Sequence, residues 1–270
     1  WEGQVNAWPL DEALIDYVSD SYEGEYNRQD NIINSKSITV GSIKQDTSTI
    51  TPDLLAEMNE IGGSEANVTT GYHAIEFLLW GQDTNGVGEG AGNRPVSDYI
   101  TTEGECTSGD TTNPDASICE RRGQYLKAVT QLLIDDLTAM EAQWQPDSEN
   151  TLRSDMIARK DKNGLRQIMY QMGSLALGEL ASERIQVAFV TGSTEDEHEC
   201  FSDLTHLSYA NNARGIQNIF NGGYKTVAGK TVGGYGLKNY LVDTGNKEAA
   251  DKLATDFANV EAAFKVIVEK

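Results

Sequence analysis

The chain has three histidines, His73, His198 and His206, and each has carboxylates close by in sequence. His73 and Glu76 stand at i and i+3 within Gly71-Tyr72-His73-Ala74-Ile75-Glu76-Phe77-Leu78-Leu79-Trp80. Residues three apart share a helix face, so one imidazole and one carboxylate could meet a single cation there. An ionised Glu76 among these apolar neighbours is costly without a partner, which a metal ion or an arginine would supply. A plain His–Glu hydrogen-bonded pair is the other reading of the same spacing. Asp203 and His206 repeat the relation with the types reversed. The run Glu195-Asp196-Glu197-His198-Glu199 just before them reads as a solvated acidic turn. Glu179 and Glu183 lie at i and i+4 in the most apolar helical stretch, with Arg184 beside them as an internal counter-ion. Oxygen-rich donors with one or two imidazoles suit iron, manganese or zinc better than copper or a thiolate-bound metal.

Other motifs fail on inspection. Gly229-Lys230-Thr231 ends like a phosphate loop, but Tyr224 stands where the motif needs glycine. Asp83-Thr84-Asn85 opens like a calcium loop, but Val87 and Arg94 occupy ligand places. Glycines 86, 88 and 90 follow no strand, so they make no dinucleotide fingerprint.

Helical periodicity supplies the elements that must position these residues. Pro9 and Asp11 mark a helix start, followed by Leu10, Leu14, Ile15 and Val18 at helical spacing. Residues 23–48 read as polar sequence broken by Ile32, Ile33 and Ile38. Thr51-Pro52-Asp53 is a cap followed by proline at the first helical position, and Gly62-Gly63 ends that helix. A helix from about Val68 to Gly81 carries His73 and Glu76. Residues 81–120 form the longest non-periodic segment. Helices are expected over 119–144, 148–160, 165–190, 203–220 and 246–270, with a glycine-rich loop at 221–236. Strand signals are poor, so the fold reads as all-α, its helices packed in bundles. The expected division is an N-terminal half, 1–145, carrying His73 and Glu76, and a C-terminal half, 146–270.

With 42 acidic and 21 basic residues the formal net charge is −21, which argues against nucleic acid or anionic lipid as partners. No apolar run approaches the roughly 20 residues of a membrane helix. The opening, Trp1-Glu2-Gly3-Gln4, shows neither Met nor a leader, so the expectation is that a targeting segment has been removed or that the sequence starts inside its gene product. Cys106 and Cys119 bracket a polar loop with no second pair to build a zinc site. A local disulfide fits best and implies an oxidising compartment, with two unpaired thiols as the other reading. Cys200 has no obvious partner in the sequence.

Gly71 to Gly81 resembles the Gly-x-His-x-x-Glu signature of the imelysin family. The resemblance extends in order through Trp1-Glu2 and Trp8-Pro9-Leu10-Asp11-Glu12, Gly90-Ala91-Gly92-Asn93-Arg94-Pro95, Gly173-Ser174 to Glu183-Arg184, and Glu195-Asp196-Glu197-His198 to Asp203. It implies a bacterial exported protein, periplasmic or anchored to the outer membrane, often by a lipid that a removed segment would carry. It implies two similar four-helix bundles with a site at their interface, and a part in iron uptake, with iron or an iron chelate as ligand and an iron transporter as partner. Such proteins were first classed as zinc metallopeptidases. Family members usually carry additional helical sequence before the Trp-Glu segment, so the expectation is that the first bundle lacks a helix or that this helix has been cleaved away. The expected metal set is His73, Glu76, Glu179, Glu183, Asp203 and His206, shared between the two halves, with iron as the metal and zinc as the alternative.

Binding is favoured over hydrolysis on the residues themselves. A zincin needs His-Glu-x-x-His, and here Ala74 takes the place of the base and Phe77 that of the second histidine. The inverted motif also fails at Phe77. A third reading is a binder of polysaccharide or siderophore that uses aromatic residues near the site.

Overall fold

The computed structural model describes residues 2–8, 10–18, 30–86, 88, 90–107, 117–160 and 162–269. The expectations attached to Trp1, Pro9 and Val87, and the first part of the polar stretch 23–48, lie outside the described residues. Helix accounts for 58% of the structure and strand for 6%, which makes the fold all-α. The helices are α1 (Glu2–Val5), α2 (Glu12–Ile15), α3 (Pro52–Met58), α4 (Gly71–Trp80), α5 (Ile118–Ala142), α6 (Leu152–Ala158), α7 (Asn163–Ser174), α8 (Val187–Thr191), α9 (Thr205–Asn221), α10 (Leu237–Asp243) and α11 (Lys247–Val268). Between α7 and α8 the chain stays helical but widens to i→i+5 bonding over Leu175–Gln186.

Two compact units result. The first comprises 1–159 together with Glu199–Asp203, and the second comprises 160–198 and 204–270. Five residues from late in the chain thus return to the first unit, a path that no single cut in the sequence can express.

In the first unit, Leu14, Ile15, Ile32, Ile33, Ile38, Leu55, Met58, Ala74, Phe77, Tyr125 and Phe201 join one apolar cluster. The cap expected at Thr51 is present: its hydroxyl accepts from the Leu54 N–H at 3.2 Å, satisfying one of the unpaired donors of the first turn of α3. One expectation changes. Part of the stretch read as polar loop is an antiparallel hairpin, β1 (Ser37–Val40) with β2 (Ile43–Asp46), turning through Gly41 and Ser42. Ile38 and Val40 alternate inward and carry the hairpin onto the core. Arg121 on α5 fixes the segment around it, donating to the carbonyls of Ile32, Ile33, Ser35, Thr47 and Ser48 at 2.7–3.3 Å. The neighbouring Arg122 reaches the buried Asp16 through two hydrogen bonds, at 2.7 and 3.0 Å. Arg94 adds a third contact to Asp16 at 3.0 Å.

Cys106 and Cys119 form a disulfide, which ties Cys106 to the start of α5. Cys200 is buried and takes no part in a disulfide.

The second unit packs α9 against α11 and against the widened turn, burying Leu180, Ala213, Ile216, Phe220, Leu237 and Ala250. Met172, Leu180, Ile216, Leu253, Phe257 and Phe264 line an apolar cavity of about 510 Å³ between these helices. The glycine-rich segment expected as loop holds a short hairpin, β3 (Gly223–Lys225) with β4 (Thr231–Gly233).

Candidate metal centre

The site is built on α4. Its first residue, Gly71, has φ +91°, and a Cβ there would stand 2.5 Å from the Val5 carbonyl oxygen. Only glycine fits, because the left-handed backbone and the close approach of α1 both exclude a side chain. From this start the helical period turns His73 and Glu76 inward, beside Ala74, Phe77 and Leu78. His73 is 1% exposed and packs against Trp8, ring centroids 5.1 Å apart. Phe201, from the returning segment, packs against Phe77 at 5.1 Å.

That segment completes the electrostatics. Glu76 Oε1 accepts from the Ser202 backbone N–H at 2.9 Å and from its hydroxyl at 2.5 Å. Glu76 Oε2 stands 3.3 Å from His73 Nδ1. Burial alone would raise the Glu76 carboxyl, but the hydrogen bonds from His73 and Ser202 outweigh it and hold the group below its ordinary value. Glu199, half-buried, brings Oε2 to 4.0 Å from His73 Nδ1. One imidazole with two carboxylates beside its Nδ1 is donor chemistry that fits iron, manganese or zinc.

The other expected residues lie outside α4. Asp203 has φ +56° and precedes α9, which begins at Thr205, so Asp203 and His206 do not share a helix face. Asp203 Oδ2 instead accepts the Gly90 N–H at 2.9 Å, tying the segment after α4 to the returning residues. His206, near the start of α9, is half-buried and belongs to the second unit. Glu179 and Glu183 lie on the widened turn of the second unit, both exposed, and Glu179 meets Arg184 at 3.8 Å. The counter-ion reading therefore describes Glu179. His198, the last residue of its segment in the second unit, is buried with Nδ1 2.8 Å from the Ser208 hydroxyl.

Glu199 and Ser202 were not singled out from the sequence. The available signal was Cys200-Phe201, an apolar pair interrupting an acidic run, which marks a segment that must turn inward.

An all-α chain with a buried histidine–carboxylate cluster in its first unit is the class that fold and site define. The family model described as Imelysin matches residues 1–270, the whole chain, and the chain belongs to the imelysin family. No curated protein matches it.

Proposed function

We propose that the protein binds a metal ion, with iron as its cargo, and serves iron uptake. The observation that carries this reading is His73, buried at 1% exposure with the Glu76 and Glu199 carboxylates at 3.3 and 4.0 Å. Two carboxylates beside one imidazole concentrate negative charge in a mostly apolar setting, and a di- or trivalent cation offsets it. The proposed ligands are His73 and Glu199, both in the first unit. The Cys106–Cys119 disulfide supports an oxidising compartment, and with it a periplasmic location and access to iron or an iron chelate outside the cytoplasm. Association with the outer membrane and hand-over to an iron transporter complete the reading. Zinc peptidase activity has less support: Ala74 and Phe77, where a zincin carries its base and second histidine, are fully buried apolar residues.

The test is anaerobic titration of Fe²⁺ into wild-type protein, His73→Ala and Glu199→Gln, with metal-induced stabilisation measured in parallel. A saturating ion at one hundred times its dissociation constant stabilises by about 2.7 kcal/mol. The expected result is binding and stabilisation in wild type and loss of both in either variant. Equal binding by all three proteins refutes the site.

A further inference from the structure

The two oxygens of Glu76 are already used inside the protein. Oε1 takes both donors of Ser202, at 2.9 and 2.5 Å, and Oε2 faces His73 Nδ1 at 3.3 Å. The Ser202 backbone N–H can only donate, so the oxygen it meets must be an acceptor in every state of the site. Ser202 thereby fixes the orientation of the carboxylate, and its ionised form presents Oε2 to His73 Nδ1 as an acceptor for the imidazole proton. We propose that Glu76 is a positioning carboxylate rather than a metal ligand: anchored by Ser202, it holds the His73 proton on Nδ1 and leaves the lone pair on Nε2 to face the metal.

This inference deepens the metal-binding reading and rests on it for the role of Nε2, but the tautomer itself is a property of the metal-free protein. A histidine ligand commonly donates its other ring N–H to a carboxylate, which fixes the tautomer and raises the basicity of the ligating nitrogen. Ser202 extends the arrangement by one bond and comes from a segment 126 residues away. Its turn places the N–H and the hydroxyl on the same carboxylate oxygen, so the carboxylate cannot rotate toward an ion without giving up both.

The geometry predicts an unusual outcome for Glu76→Gln. The amide has one oxygen and one NH₂ where the carboxylate has two oxygens. The Ser202 N–H requires the amide oxygen, so the NH₂ must face His73. A donor facing Nδ1 forces the lone pair there and moves the proton to Nε2. The conservative substitution therefore reverses the tautomer instead of merely weakening a contact.

The experiment is long-range ¹H–¹⁵N correlation NMR of metal-free protein labelled on histidine nitrogen, at a pH where free imidazole is neutral. It is repeated on Glu76→Gln, and on both proteins with ¹¹³Cd²⁺ added. Wild-type His73 is expected to carry its proton on Nδ1 and to show ¹¹³Cd coupling at Nε2. Glu76→Gln is expected to carry the proton on Nε2 and to bind Cd²⁺ roughly 10–100-fold more weakly. A wild-type His73 protonated on Nε2 or on both nitrogens, or ¹¹³Cd coupling at Nδ1, overturns the inference while leaving metal binding intact. The expected tautomer without Cd²⁺ or Fe²⁺ binding sustains the positioning role and removes the metal-binding reading. The wild-type spectra decide the matter even if Glu76→Gln does not fold.

Discussion

Asp16 is the residue whose replacement tests the buried ionic frame of the first unit most sharply. Its carboxylate is 1% exposed and receives Arg122 at 2.7 and 3.0 Å and Arg94 at 3.0 Å. Arg122 also donates to the Asp98 carbonyl at 2.6 Å, and Arg94 stands 3.4 Å from the Asp98 carboxylate. Burial raises the Asp16 carboxyl, while the Arg122 hydrogen bonds and the charges of Arg122 and Arg94 lower it further than burial raises it. Asp16→Asn keeps the shape and removes the charge, leaving a fully buried guanidinium without its counter-ion. Breaking a buried pair of this kind costs about 3–5 kcal/mol. At about 2–4 °C per kcal/mol for a unit of this size, the melting transition should fall by roughly 6–20 °C. The sign with pH follows from the direction of the shift. A folded value below the ordinary one, about 3.9, means the contribution is present above that value and is lost as pH falls through the folded value. Wild type should therefore lose stability on acidification below about pH 4 more steeply than Asp16→Asn. Calorimetry across pH, with an Asp16→Ala/Arg122→Met double-mutant cycle, measures both the loss and the coupling. A loss under about 1 kcal/mol, or identical acid limbs for the two proteins, refutes the view that this network holds the unit together.

Further outcomes follow from the same structure. Arg121→Met strips partners from five backbone carbonyls of the 32–48 segment, so urea unfolding should show a loss of about 2–4 kcal/mol and amide exchange should quicken there first. Replacing Cys106 and Cys119 together by serine opens a loop of sequence separation 13, and thermal unfolding should register a loss of about 2–3 kcal/mol. Gly71→Ala sets a Cβ 2.5 Å from the Val5 carbonyl oxygen at φ +91°. It should cost more than about 1 kcal/mol by circular dichroism melting and shift the His73 ring resonances.

Local signals reached as far as local structure. The Thr51-Pro52 cap, the long apolar period of α5 and the closing helix were legible because caps and the 3.6-residue period act within one element. The β1–β2 hairpin was not read, although Ile38-Thr39-Val40-Gly41-Ser42-Ile43 alternates and turns through Gly-Ser. It has only four residues a side, and Lys44, Gln45 and Asp46 give its second strand the composition of a loop. Nothing in the sequence pairs Asp16 with Arg122, because the bond is made by packing across a separation of 106 residues.

The candidate centre divides along the same line. His73 and Glu76 were legible because i, i+3 on a helix is a geometric statement that spacing alone supplies. The identical spacing at Asp203 and His206 carried no such meaning, since the chain takes φ +56° at Asp203 and the helix begins only afterwards. Glu179 and Glu183 sit on a helical surface that is exposed, where Arg184 meets Glu179. What turns the His73 pair into a site is Glu199 to Asp203, delivered from the far end of the sequence by the burial of Phe201 against Phe77. The acidic run before it therefore cannot be read by its charge alone. Its apolar interruption decides which of its carboxylates reaches the imidazole.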